Sequence, residues 1–377
     1  MPPRALAALL AGALAGLGLM VSTALAADAS QAPYGVTAAG LPVEVFTLKN
    51  DHGMSVKVLS YGGIITQINA PDRQGVVKNV VLELADLKAY EARPFFSSLL
   101  GRYANRLSGG GFTLDGVRHD LPSGPDGVAS HGGPTSIAKQ VWSGTPFHRH
   151  GGAGVTLAYV AADGEGGYPG TLRIHVTYTL TRKNALRIDY RAVTDKPTVI
   201  NLSHHAYFNL AGDGAIYDQT IQVFASAFTP INARKLAVGA VAPVAGTGLD
   251  LRQPATLGKR LAVEDPQLKF ANGLDNNFVI DGGGRGRLAL AVRMTDPASG
   301  RTLELRTTQP GVQLFSANSF NGSLKTPDGR PLEKGAGLAL ETQHFADSPN
   351  HANFPTTVLR PGQVFKESAE FRFGVMR

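Results

Sequence analysis

Over residues 171–181 the chain alternates without a fault. Leu172, Ile174, Val176, Tyr178 and Leu180 fall on one side of an extended backbone, and Thr171, Arg173, His175, Thr177 and Thr179 on the other. A helix would scatter those apolar residues around its circumference, so the stretch is a strand with one buried face. The pattern returns at Leu186, Ile188 and Tyr190, after Arg182-Lys183-Asn184, which reads as a hairpin turn. Similar short runs cover residues 43–49, 54–60 and 64–70, then 112–114, 288–294, 303–307, 337–343 and 363–373. Turn chemistry such as Asn50-Asp51-His52-Gly53 and Asp296-Pro297-Ala298-Ser299-Gly300 separates neighbouring members. Residues 82–91, closed by Pro94, carry the one helical period, and the segment up to Gly40 reads as loose. Many short strands with little helix predict an all-β sandwich or barrel, and no linker divides residues 27–377, which read as a single domain.

Residues 1–26 read as a separate device. Arg4 is their only charged side chain, an Ala/Leu/Gly run follows, and Ala24-Leu25-Ala26 is a small-x-small cleavage pattern. The apolar run from Ala5 to Val21 falls short of the roughly 20 residues that span a bilayer, which favours a cleaved secretory signal over an anchor. Export to the periplasm or beyond is the expectation, with no stable membrane association after cleavage. The formal net charge of +7 comes from Lys and Arg scattered singly, without a stripe, so nucleic acid is not an expected partner. The absence of Cys rules out disulfides, a thiolate nucleophile and a thiolate metal site. No Gly-x-Ser-x-Gly supplies a nucleophilic serine. His204 and His205 are adjacent, so a strand sends them to opposite faces and they do not share a metal ion. Gly282-Gly283-Gly284-Arg285-Gly286 is a loop, since no helix signal follows it.

The chemistry-bearing stretch is residues 201–210. Ile200, Leu202, His204, Ala206, Phe208 and Leu210 share one side, apolar but for one imidazole; Asn201, Ser203, His205, Tyr207 and Asn209 share the other, and each can hydrogen-bond. Such a face suits water or a polyhydroxylated ligand. Glu341 lies in an alternating run in which Gly337 and Ala339 precede it on its own side, leaving room to approach a carboxylate. Asp275 sits in the turn-rich entry Gly273-Leu274-Asp275-Asn276-Asn277-Phe278, where a structural role is the ordinary one. His131-Gly132-Gly133 is a loop whose glycines permit close approach of backbone. Asn105 and Arg106 follow Gly101-Arg102-Tyr103-Ala104, and two arginines four apart have no single meaning.

Together these tracts resemble the aldose 1-epimerases (galactose mutarotases). The resemblance runs through residues 101–106, 131–133 with Trp142, 167–170, 201–210, 273–278, 307–311 and 340–343, then Asn353-Phe354-Pro355 and Pro361-Gly362. It implies a large antiparallel β-sandwich with an open sugar cleft, and anomer interconversion of a free aldose without cofactor or metal. By the same resemblance Glu341 is the general base and His205 the general acid, while Asn105, Arg106, His131, Tyr207, Asp275 and Gln309 hold and polarise the sugar. His204 stands where Asn is usual, Ala206 where Ser is common and Asn276 where His is frequent. Ser136-Ile137-Ala138 replaces a usual Gly-Phe-Asp. A glycosidase using Glu341 and Asp275 is the rival enzyme class, and a carbohydrate-binding sandwich the rival without catalysis.

Overall fold

The computed structural model describes residues 27–149 and 151–376; the expected leader, residues 1–26, lies outside the described residues. Three sheets form the body. A nine-stranded sheet runs in the order Ser143–Arg149, Gly152–Ala161, Leu172–Thr181, Ala185–Thr194, Phe365–Val375, Arg301–Thr307, Ala289–Thr295, Thr220–Val223, Ala255–Thr256. A six-stranded sheet orders Tyr207–Phe208, Leu338–Gln343, Gly311–Phe315, Asp275–Val279, Ala227–Thr229, Ala242–Pro243. A five-stranded meander runs from Asp28–Val36 to Val77–Asn79. The ladders of all three are antiparallel, as hairpin turns and half-buried strands require.

The alternation at 171–181 behaves as read: in Leu172–Thr181, Leu172, Ile174, Val176, Tyr178 and Leu180 are buried, and Leu180 pairs with Leu186 across the hairpin. Asn184 takes the left-handed conformation at φ 54°, which asparagine tolerates in a turn. One apolar cluster joins the sheets. It includes Phe46 and Val56 from the meander, Val176 and Ile188 from the large sheet, and Val312, Leu314 and Leu340 from the six-stranded one. Burying these inner faces drives the sheets together.

Three expectations are corrected. The loose segment before Gly40 is a strand, Asp28–Val36, paired with Pro42–Lys49 through an irregularity between Pro33 and Gly35 that hides its pattern. The helix expected at 82–91 is only Leu87–Ala92, capped by Asp86, whose carboxylate accepts from Ala89 N–H. Its first half is held extended instead, because Val81 bridges Phe208 and Leu82 N–H donates to Tyr207 O. Finally, of the two uses expected for the polar face of residues 200–210, contact with bulk water is excluded: every one of them is buried. The run is broken into Ser203–His204, paired with Leu99–Leu100, and Tyr207–Phe208, paired with Leu338 and Ala339.

Candidate active site

The six-stranded sheet builds the site from its register. Gln313 pairs with Glu341 and with Asn277, while Phe315 pairs with Ala339 and with Asp275. Directly opposed antiparallel residues share a face, and so do residues two apart on one strand. Glu341, Gln313, Asn277, Asp275 and Phe315 therefore project to one side, and Leu340, Leu314 and Phe278 enter the core on the other. Tyr207, paired with Ala339, continues this polar face at the sheet's edge.

His205 meets Glu341 there: Nε2 lies 3.4 Å from Oε1. Its ring also packs on Tyr207 with centroids 4.8 Å apart, and approaches Phe315 and His131 edge-on at 5.9 Å each. Beside this pair, Arg106 Nη2 donates to Asp275 Oδ2 at 2.9 Å, and Gln313 Nε2 donates to Asp275 Oδ1 at 2.6 Å. Both oxygens of Asp275 are thereby engaged. Asn105, left-handed at φ 67°, turns the chain so that its own Oδ1 accepts from Arg106 N–H. Its backbone N–H donates to His131 Nδ1 at 3.2 Å, which leaves His131 Nε2 as the protonated nitrogen. Gly132, at φ 85°, is required by a close approach: a Cβ there would stand 2.0 Å from Gly101 O.

A cavity of about 320 Å³ opens onto these rings, lined by His131, His205, Tyr207, Phe95, Phe96 and residues 92–94. Phe95 holds φ 79°, an outlier for a bulky side chain, and lies against His131 with centroids 5.0 Å apart. A larger cavity of about 530 Å³ lies near the hairpin of Asn321–Lys325 and Pro331–Glu333; its lining contains neither member of the His205–Glu341 pair.

Burial dominates the charges. Desolvation draws His205 down to about 4, with Asp275 acting against the shift and Arg106 with it. Desolvation, then repulsion by Asp275, pushes Glu341 well above the usual carboxylate range, while Arg106 opposes them. Asp275 does favour the imidazolium, but the dry surroundings outweigh it. Burial likewise carries His131 well below the ordinary imidazole value and keeps the Tyr207 phenol protonated.

The structure brings His205, Glu341, Asn105, Arg106, His131, Tyr207 and Asp275 into this one neighbourhood. Gln309 it places elsewhere: fully buried, its Nε2 donating to Leu202 O and its Oε1 meeting His344 Nδ1. Gln313 occupies the position beside the acid pair instead, and sequence reasoning missed it, as it missed Phe95. Asn201 and Asn209 also leave the site, Asn201 clasping His344 and Asn209 donating to Asp213, Gly214 and Ala336 carbonyls. Arg102 is structural, donating to Pro169 O and Gly170 O.

His204 enters the core. Its Nε2 lies 3.2 Å from Gly63 O, its Nδ1 accepts from Ala206 N–H, and its ring stands edge-on to Tyr178. The other departures noted above, Ala206, Asn276, Ser136, Ile137 and Ala138, are buried as well.

The family model described as Aldose 1-epimerase matches residues 44–372. A galactose mutarotase of Mus musculus is 40% identical over 339 residues, 89% of this chain and 95% of that protein. An aldose 1-epimerase of Escherichia coli K12 is 31% identical over 89% of this chain and 96% of its own length. Among solved structures, a galactose 1-epimerase from Lactobacillus acidophilus NCFM superposes with a TM-score of 0.82 at 28% identity, covering 93% of this chain and all of that one. With the antiparallel sandwich and a family match across most of its length, the chain belongs to the aldose 1-epimerase family of isomerases.

Proposed function

We propose that this mutarotase interconverts the α and β anomers of free aldohexoses such as glucose and galactose, with Glu341 as general base and His205 as general acid. The observation that carries the assignment is the 3.4 Å contact between His205 Nε2 and Glu341 Oε1 on a polar sheet face beside a cavity. Ring opening needs one proton removed from the anomeric hydroxyl and one delivered to the ring oxygen. Glu341 as carboxylate with His205 as imidazolium does both at once, and ends as carboxylic acid with neutral imidazole. Rotation about the first carbon–carbon bond and reclosure return both protons. The pair therefore carries one proton throughout, and burial favours the neutral arrangement reached after ring opening. Hydroxyls of a bound closed sugar would solvate the charged arrangement that starts the reaction.

Arg106, Asp275 and Gln313 form a braced row that offers hydrogen bonds to sugar hydroxyls, with Asn105, His131 and Tyr207 completing the wall. The same row argues against a glycosidase, because Asp275 has both oxygens committed and is a poor second carboxylate. Polarimetry on freshly dissolved α-galactose and α-glucose, run beside aryl-glycoside hydrolysis, tests this. Rapid loss of the excess rotation with no hydrolysis is the expected result. Hydrolysis, or no acceleration of either, would overturn it.

The proposal extends to location. The leader pattern of residues 1–26 supports export, and intact mass of periplasmic protein should lack that stretch to within about ±2–4 residues.

A further inference from the structure

Two residues along the strands from the acid–base pair, the same face carries a second polar layer that the reaction above does not use. Gly311 pairs with Gln343 on one side and Val279 on the other, next to the row Glu341, Gln313, Asn277. Along the flank, Asn201 clasps the backbone of His344, His205 faces Glu341 and Tyr207 pairs with Ala339. Interpolating between those fixed points sets Ser203 next to Gln343.

Five side-chain atoms here are buried without a hydrogen-bond partner: Gln343 Nε2 and Oε1, Asn277 Oδ1, Ser203 Oγ and Glu341 Oε2. Gln343 and Ser203 are 0% exposed, and Asn277 and Glu341 2%, so bulk solvent does not serve them. Orphaned buried polar atoms are rare and costly, and five together point to a ligand. Gly311 lets the Asn277 amide come close to the ladder. A Cβ there would stand 2.4 Å from Asn277 Oδ1 and 3.2 Å from Phe345 Cδ1, and its φ is not in the left-handed region, so glycine serves space and not backbone conformation. The unmet atoms are mostly acceptors, joined by one amide and one hydroxyl that can donate. Water, with two donors and two acceptors, matches that set of unmet atoms.

We propose that Gln343, with Asn277 and Ser203, holds ordered water against Glu341 Oε2, and that Gln343 is a positioning residue acting through this water on the catalytic carboxylate. The inference rests on Glu341 being the base. A water donating to Oε2 fixes the carboxylate's rotation and favours its ionised form, which the dry surroundings otherwise disfavour. Gln343 itself does not touch the sugar.

The test uses the full enzyme and the variants Gln343→Met, Gly311→Ala and Glu341→Gln, with kcat, KM and pH profiles measured together. Gln343→Met keeps the length and removes donor and acceptor; Gly311→Ala pushes the Asn277 amide away and leaves Gln343 intact. Both should lower kcat by about tenfold to a hundredfold with KM within about twofold. In Gln343→Met the limb set by Glu341 should move to higher pH, because a donor favouring the ion is gone. A crystal structure at high resolution should show water bonded to both Gln343 and Glu341 Oε2, lost in Gly311→Ala. Unchanged kcat and pH limb in both variants while Glu341→Gln is inactive would overturn this inference alone. A rise in KM at constant kcat would also overturn it, by making Gln343 a sugar contact. Near-normal turnover in Glu341→Gln would instead remove the reading on which it rests.

Discussion

Replacing Glu341 by Gln separates catalysis from stability at one buried atom. The amide keeps the shape and can still meet His205 and sugar hydroxyls, but it no longer accepts a proton. A positioned general base contributes about 10²–10⁴-fold. Turnover should therefore fall by at least the lower figure, equivalent to about 3–5 kcal/mol of barrier at 1.36 kcal/mol per tenfold. Stability should move the other way. The folded protein holds Glu341 well above its ordinary value of 4.5. A group raised in this way contributes fully below its unfolded pKa, and that contribution is lost as pH rises toward the folded one. Gln has no proton to lose, so the variant should melt higher than the parent at pH 8, and the gap should shrink toward pH 4. Polarimetry on α-galactose gives the turnover, and calorimetry at the two pH values gives the melting temperatures. Turnover within a few-fold of the parent would refute the base assignment. A variant less stable at pH 8 would refute the claim that burial of the carboxylate is a strain on the fold.

The pH profile of kcat/KM should be bell-shaped, because only the one-proton state of the His205–Glu341 pair is productive. The acid limb should lie near 4, where His205 takes a second proton, and the alkaline limb above the ordinary carboxylate range, where Glu341 gives up the last; a flat profile would contradict it. His205→Asn should lower turnover by about 10²-fold or more, while His204→Asn leaves it within a few-fold. His204→Asn should still cost about 1–3 kcal/mol in urea unfolding, since Asn cannot span Gly63 O and Ala206 N–H together. The parent should also lose stability as pH falls from 6.5 toward 3 through His204, whose folded value is about 3, and this part of the loss should vanish in His204→Asn. Gln313→Ala should raise KM or lower kcat at least tenfold, and Gln309→Ala should act on melting temperature first; the reverse pattern would restore Gln309 to the site.

Where a strand is long, its partners need not be known for its faces to be legible. Leu172–Thr181 and Leu338–Gln343 were readable because a period of two survives whatever lies alongside. The two glutamines show where this ends. Gln309 and Gln313 have the same parity, so alternation cannot choose between them. What chooses is where the strand begins: Gly311 opens it, Pro310 stands before it, and Gln309 turns back toward Leu202 and His344. That boundary comes from pairing with Glu341 and Asn277, which are 28 and 36 positions away and carry no local trace. The short helix Pro266–Ala271 is the opposite case, since Asp265 as cap and Pro266 as first residue were local signals that went unread.

The polar residues of 201–210 were legible in kind but not in use. Parity put Asn201, His205, Tyr207 and Asn209 together, and all four do leave the main core, Tyr207 for a second apolar cluster with Phe96 and Phe320. A face meeting water could afford five loosely satisfied groups; a buried one cannot, so Asn201 and Asn209 are consumed by the backbone of neighbouring segments. Their work holds the broken strand against Leu338–Gln343 with His205 opposite Glu341. Burial then acts twice. It forces the flanking asparagines into structural roles, and it drives the two remaining ionisable groups toward a shared single proton. The dryness that hid the arrangement from a sequence argument is also what, in the mechanism proposed above, would let a histidine and a carboxylate exchange protons with a sugar while the pair keeps the same total charge.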